Sequence, residues 1–194
     1  MFLQILDTTL RDGAQGAGVE FSTDDKLRVI HELDSLGVSY IEAGMITSPQ
    51  DAEFFAQLEK MHLDNAKLCV FCRTVKAGES PENDPHLTMS AETHLPAAVI
   101  YGKASTVHVA EVLGVSREEN LRMIRDSIAF LKSSGKEVIF DAEHFFDGYK
   151  ANPIFAMKAL EAAAGAGADV LALCDTNGGT LNQEVFSVVG AVLG

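Results

Sequence analysis

Short apolar runs alternate with amphipathic stretches along the chain, a pattern that predicts βα units and a parallel sheet. The first apolar run covers residues 2–7. A helix is expected over about 23–36, opened by the capping-box pattern Ser22-Thr23-Asp24-Asp25, with Leu27, Ile30 and Leu33 on one face and Gly37 as its stop. A second strand at 39–43 and a helix near 50–61 follow, then a third strand at 67–72. Residues 76–94 carry Gly78, Pro81, Pro85 and several acids, and read as mostly loop with a short helical piece. The fourth strand, 97–101, leads to the apolar, strand-like Thr106-Val107-His108-Val109-Ala110. A helix follows, opened by Ser116-Arg117-Glu118-Glu119, burying Leu121, Ile124, Ile128 and Leu131, and stopped at Gly135. The fifth strand is 137–142. Beyond a strand-to-helix loop, Asn152 caps a helix with Pro153 in its first turn and Gly165 near its end. The sixth strand is 169–174, and a last helix is expected to open at Thr180.

These are six βα units in one order, with no linker, low-complexity tract or repeat between them. Eight such units close a TIM barrel, so the fold expected is a TIM (β/α)8 barrel truncated to about six units; an open doubly wound sheet is the alternative that periodicity leaves open. An unclosed parallel sheet exposes two edges and an unfilled interior. The 194 residues are therefore expected to form one partial, N-terminal piece of a catalytic barrel domain.

Composition narrows the partners. With 47% hydrophobic residues and a mean hydropathy of +0.10 the chain reads as globular. A formal net charge of −13 argues against nucleic acid or an anionic membrane. It also means that a polyanionic ligand needs a local basic cluster, for which Arg73, Lys76 and Lys103 are candidates. The N-terminal apolar run is too short for a signal peptide or membrane span, and three cysteines fit a reducing compartment, so a cytoplasmic location is expected. Cys69 and Cys72 form C-x-x-C, but on a strand that spacing puts them on opposite faces, as inert core thiols.

Active sites of βα barrels gather at the C-terminal ends of the strands. Polar residues stand at those ends here: Asp7, Arg11, Asp12 and Gln15 after the first strand, Glu42 on the second, Asp141-Ala142-Glu143-His144 on the fifth and Asp175-Thr176-Asn177 after the sixth. Asp12 is the candidate ligand for a hard divalent ion that also chelates a substrate. Arg11 suits a developing oxyanion, and Glu42 is placed to hold it through a bidentate salt bridge. Glu143 lies in a loop whose aromatics are expected to exclude water and raise its pKa towards that of a base. His108 reads as a core residue of an apolar strand.

The run Asp7-Thr8-Thr9-Leu10-Arg11-Asp12-Gly13-Ala14-Gln15 resembles the signature of the metal-dependent acyl-CoA aldolases and lyases on TIM barrels, the family of the isopropylmalate, homocitrate and citramalate synthases. The likeness runs through Gly102-Lys103-Ala104-Ser105, His108-Val109-Ala110-Glu111 and the loop Asp141 to Pro153, and is fullest to the citramalate branch. It implies a Claisen-type condensation of acetyl-CoA with pyruvate, or with 2-oxoisovalerate as the alternative acceptor. It assigns Arg11, Glu42 and Glu143 to catalysis, Gln15 and Thr176 to substrate binding, with Thr176 on the 2-oxo acid carboxylate, and Asp12 to a divalent metal (Mn2+, Mg2+ or Zn2+). Small-molecule substrates and a homodimer are implied as well. The family completes its metal site with H-x-H on a seventh strand. Histidines 31, 62, 86, 94, 108 and 144 never take that spacing, so weak metal affinity is expected, and a noncatalytic half-barrel is the rival reading.

Overall fold

The computed structural model describes residues 3–194, so Phe2 of the first expected strand lies outside the described residues. In chain order the elements are β1 (Leu6–Asp7), α1 (Thr23–Leu36), β2 (Tyr40–Gly44), α2 (Pro49–Leu58), β3 (Lys67–Arg73), α3 (Pro85–Glu92) and β4 (Ala97–Lys103). They continue as α4 (Thr106–His108), α5 (Arg117–Ser133), β5 (Glu137–Glu143), α6 (Phe145–Ala151), α7 (Pro153–Gly165), β6 (Val170–Leu173) and α8 (Asn182–Leu193). All strand pairs are parallel, in the order β1-β2-β3-β4-β5-β6. A doubly wound sheet reverses its strand order at a switch point. None occurs here, so the winding is that of a barrel wall, and β1 and β6 each have one neighbour among the described residues.

Side-chain alternation divides the core in two. Ile41, Val70, Cys72, Ala98, Ile100, Val138 and Phe140 face outward into a layer shared with Ile30, Phe55, Ile124, Ile128 and Leu131 of the helices. Tyr40, Cys69, Phe71, Ala97, Val99 and Ile139 face the concave interior. Cys69 and Cys72 thus lie on opposite faces, and burial pushes the Cys72 thiol up to about 12 and Cys69 higher still. The N-terminal end of the interior is closed by polar contacts: Tyr40 Oη donates to Glu137 at 2.5 Å and Lys67 Nζ to the other Glu137 oxygen at 2.5 Å.

Local chemistry explains the helix ends. Ser22 and Asp25 complete the capping box reciprocally, and Gly37 ends α1 at φ 85°. Ser116 Oγ accepts from Glu119 N, and Asn152 Oδ1 accepts from Phe155 N with Pro153 in the first turn.

Several segments differ from expectation. β1 is only two residues long, though Ile5 O accepts from Ser39 N and Tyr40 N ahead of it. The second helix ends at Leu58, three residues early. The short helical piece expected within 76–94 is α3, eight residues that Asp84 caps by accepting from His86 N and Leu87 N while Arg73 fixes the Asp84 carboxylate at 2.8 Å. Residues 106–113 are helical turns and not strand, closed by Gly114 at φ 65°. The last helix opens at Asn182, since Thr180 is tied to Asp175 through its N–H (3.0 Å) and hydroxyl (2.8 Å), and Glu184 caps Leu181 N instead.

The expected loop after β5 contains α6. It buries Phe145 and Phe146 in the helix layer and sets Gly148 against the β4 end, where an added Cβ would lie 2.5 Å from the Ala104 carbonyl oxygen. That neighbour is backbone and cannot swing aside. Gly148→Ala is expected to cost about 1–3 kcal/mol by overpacking. Chemical denaturation checks this, and an unchanged midpoint contradicts it. Among the described residues no helix is long and apolar enough to cross a membrane.

Candidate active site

The six residues singled out from the sequence, Arg11, Asp12, Gln15, Glu42, Glu143 and Thr176, all line one cavity of about 630 Å³ at the C-terminal ends of the strands. Phe71, Tyr101, Met45, Lys103 and Asp141 also line it.

Arg11 is delivered by a tight turn in which Thr8 O accepts from the N–H groups of Arg11, Asp12 and Gly13 at 2.8–3.1 Å. Its guanidinium carbon stands 3.9 Å from the centroid of the Phe71 ring, a cation–π placement that leaves the in-plane donors free for carboxylates. Nε donates to Glu42 Oε2 at 2.7 Å, and Nη1 donates to Asp12 Oδ1 at 3.1 Å. The expected bidentate bridge to Glu42 is therefore a single contact, because the other arm of the fork has turned to Asp12. Glu42 is fully buried, and its Oε1 has no partner. Burial pushes its carboxyl up to about 7, with the Arg11 hydrogen bond and charge pulling the other way.

Asp141 lies two residues before Glu143 on β5, hence on the same inward face. Burial pushes it up to about 6, against the pull of Arg11. Both folded-state values exceed the ordinary ones of 4.5 and 3.8. Their share of stability is whole below about pH 4 and is lost as the pH rises through about 6 and about 7. Calorimetry should show these groups lowering the unfolding temperature between about pH 4 and about pH 7. Asp141→Asn should flatten the lower part of that fall, and an unaltered pH dependence in this variant would contradict the assignment.

Glu143 pairs with Lys103, its register partner on β4. The aromatics expected around it are elsewhere, since Phe145 and Phe146 turn into the helix layer, and the cation of Lys103 is its main neighbour instead. Thr176 Oγ1 accepts from His144 N at 2.9 Å, so its own proton stays available to an acceptor in the cavity. Gln15 ends a short 3-10 turn at the rim.

A second cavity of about 470 Å³ shares Tyr101 and Lys103 with the first and extends past Thr74, Lys76 and Val112. The basic cluster expected here is largely committed: Arg73 is held by Asp84 and Lys103 by Glu143, while Lys76 forms no ion pair among the described residues.

For a divalent metal, Asp12 offers one hard oxygen on a side chain 64% exposed. Among the described residues no group of three His, Cys, Asp or Glu side chains is arranged to hold a metal ion. They make one ligand of such a site and not a closed site.

Sequence reasoning set Asp141 among the strand-end acids without giving it a role, did not pair Lys103 with Glu143 and did not single out Phe71 or Tyr101. The available signal was strand alternation, which puts Asp141 and Glu143, and Tyr101 and Lys103, on one face.

An (R)-citramalate synthase of Sulfolobus acidocaldarius is 46% identical over 192 residues, 98% of this chain and 37% of that protein. The 2-isopropylmalate synthase of the same organism is 33% identical over 178 residues, 91% of this chain and 43% of that protein. The chain thus spans well under half the length of these curated relatives. The crystal structure of a Bacillus subtilis HMG-CoA lyase superposes with a TM-score of 0.77 at 20% identity, over 98% of this chain and 63% of that one, a likeness of fold alone. The model of the HMGL-like family matches residues 2–193, so the chain belongs to the HMGL-like family.

Proposed function

We propose that this chain is the N-terminal part of the catalytic barrel of a cytoplasmic, homodimeric acyltransferase that condenses acetyl-CoA with pyruvate, giving citramalate and CoA for branched-chain amino acid synthesis. The observation that carries the reading is the convergence of Arg11, Asp12, Glu42, Glu143 and Thr176 on one cavity, in a chain 46% identical to a citramalate synthase.

The chemistry follows from what each side chain offers. Glu143, directly or through a water, takes a proton from the acetyl methyl group, and the enolate carbon attacks the keto carbon of pyruvate. The carbonyl π pair moves onto oxygen, where the fixed charge of Arg11 is set to stabilise it, and that oxygen then takes back the proton held by Glu143, directly or through water, to become the hydroxyl of the adduct. Glu42 and the Phe71 face orient the guanidinium from behind. Thr176 donates to the pyruvate carboxylate, and Gln15 contacts the same substrate from the rim. Water then hydrolyses the thioester of the adduct, releasing citramalate and CoA and making the sequence irreversible. Asp12 would contribute one oxygen ligand to a divalent ion (Mn2+, Mg2+ or Zn2+), which when bound would polarise the keto oxygen. The pantetheine and phosphates of acetyl-CoA are assigned to the second cavity, with Lys76 as their free cation.

Phe71, Tyr101 and Met45 are large side chains of the cavity wall, and this reading assigns them to the acceptor end, where their bulk favours the methyl of pyruvate over the branched chain of 2-oxoisovalerate. CoA-thiol release by the full-length gene product is the test. Pyruvate is expected to exceed 2-oxoisovalerate in kcat/KM by at least about ten-fold, the discrimination a hydrophobic pocket gives per methylene. Preference for 2-oxoisovalerate would make it an isopropylmalate synthase, and no release with either would remove the enzymatic reading.

A further inference from the structure

Among the described residues, His144 is the one non-glycine residue with a left-handed backbone, at φ 55°. An L side chain keeps that conformation only where its surroundings over-determine it. Three contacts do so here. The His144 N–H donates to Thr176 Oγ1 at 2.9 Å, and the next N–H, of Phe145, donates to Cys174 O at 3.1 Å. The His144 ring stacks on the ring of His108, with centroids 3.8 Å apart and planes 19° from parallel. The stack is not there to satisfy its own polar atoms, because Nδ1 of both rings is buried without a hydrogen-bond partner.

What the stack joins is informative. His108 ends α4, which begins three residues after Lys103, and Lys103 is the ion-pair partner of Glu143. Glu143 O also accepts from Ala104 N at 3.1 Å. The ends of β4, β5 and β6 therefore meet at His144, one residue beyond the proposed base. The charged groups facing the stack are Lys103, Glu143 and Asp147.

We infer that His144 is a positioning residue for Glu143: its left-handed turn, pinned by the His108 ring and the Thr176 hydroxyl, fixes where the Glu143 carboxylate stands between Lys103 and the cavity. This rests on the reading of Glu143 as the group acting on the acyl donor. His144 acts through Glu143 and touches no reacting atom.

The test compares crystal structures and kinetics of His144→Ala, His144→Asn, His108→Ala and His108→Phe in the full-length gene product. In His144→Ala the Glu143 carboxylate is expected to leave Lys103, and kcat to fall by about 10- to 100-fold, as for a displacement of about 1 Å, with KM for pyruvate within about two-fold. Asparagine tolerates positive φ, so His144→Asn should recover part of the loss. His108→Phe keeps a ring for stacking and should stay near wild type, while His108→Ala should follow His144→Ala. Glu143 unmoved in the His144→Ala crystal, or a loss expressed only in KM, overturns the inference. Glu143→Gln measured alongside separates the two ideas: near-normal turnover there removes Glu143 from the mechanism, while the crystallographic comparison still judges what holds it in place.

Discussion

Arg11→Ala is expected to lower turnover with pyruvate and acetyl-CoA by about 10²–10³-fold, the usual loss when one preorganised oxyanion donor is removed. The guanidinium is the cation that joins Glu42 to Asp12 at the cavity floor, and it stands against Phe71 with little freedom to move. Without it Glu42 loses both influences that hold its carboxyl down, leaving burial and the neighbouring acids to push it further up, so it should be protonated at neutral pH. The fold should therefore survive while activity is lost. Arg11→Lys should rescue little, since a single ammonium cannot reproduce a planar fork that reaches two carboxylates at once. Steady-state kinetics beside a thermal melt check this. Turnover within a few-fold of wild type in a folded Arg11→Ala protein would show that the developing charge is stabilised elsewhere.

The second large effect belongs to Glu143. Glu143→Gln keeps the shape and a partner for Lys103 but cannot accept a proton, and is expected to reduce turnover by about 10²–10⁴-fold, the range of general acid–base contributions. Its signature is loss of solvent-deuterium exchange into the acetyl-CoA methyl group, with pyruvate binding retained. The pair is mostly buried, with side chains 13% and 24% exposed, so removing the carboxylate charge should also lower stability, and a thermal melt is read beside the exchange to show that the variant is folded. Retained exchange in the glutamine variant would assign proton abstraction to another group, with Asp141 on the same face of β5 the nearest alternative.

Much of the architecture was legible because it is encoded locally. Ser22 with Asp25, Ser116 with Glu119 and Asn152 with Pro153 carry their cap chemistry within four residues, and those three helices begin where the sequence puts them. Segments set by distant contacts were not legible. α6 depends on Gly148 meeting the Ala104 carbonyl at the end of the neighbouring strand, 44 residues away, and the turns at 106–113 on the His108 ring meeting that of His144. The same division holds at the cavity. Strand-end acids could be placed from the order of the units, so Arg11, Asp12, Glu42, Glu143 and Thr176 were found together. The partner of Glu143 depends on the register of β4 against β5, and the His108–His144 stack joins residues 36 apart; neither leaves a mark in local pattern.

The most direct test of the central claim is to incubate the full-length gene product with pyruvate and acetyl-CoA labelled with 13C in the methyl group, and to follow the label by NMR. The account predicts that the label appears in the methylene carbon of citramalate, stoichiometric with free CoA and dependent on Arg11. Label that remains in acetyl-CoA, or appears only in free acetate, would mean that no carbon–carbon bond is made in this cavity and would contradict the account.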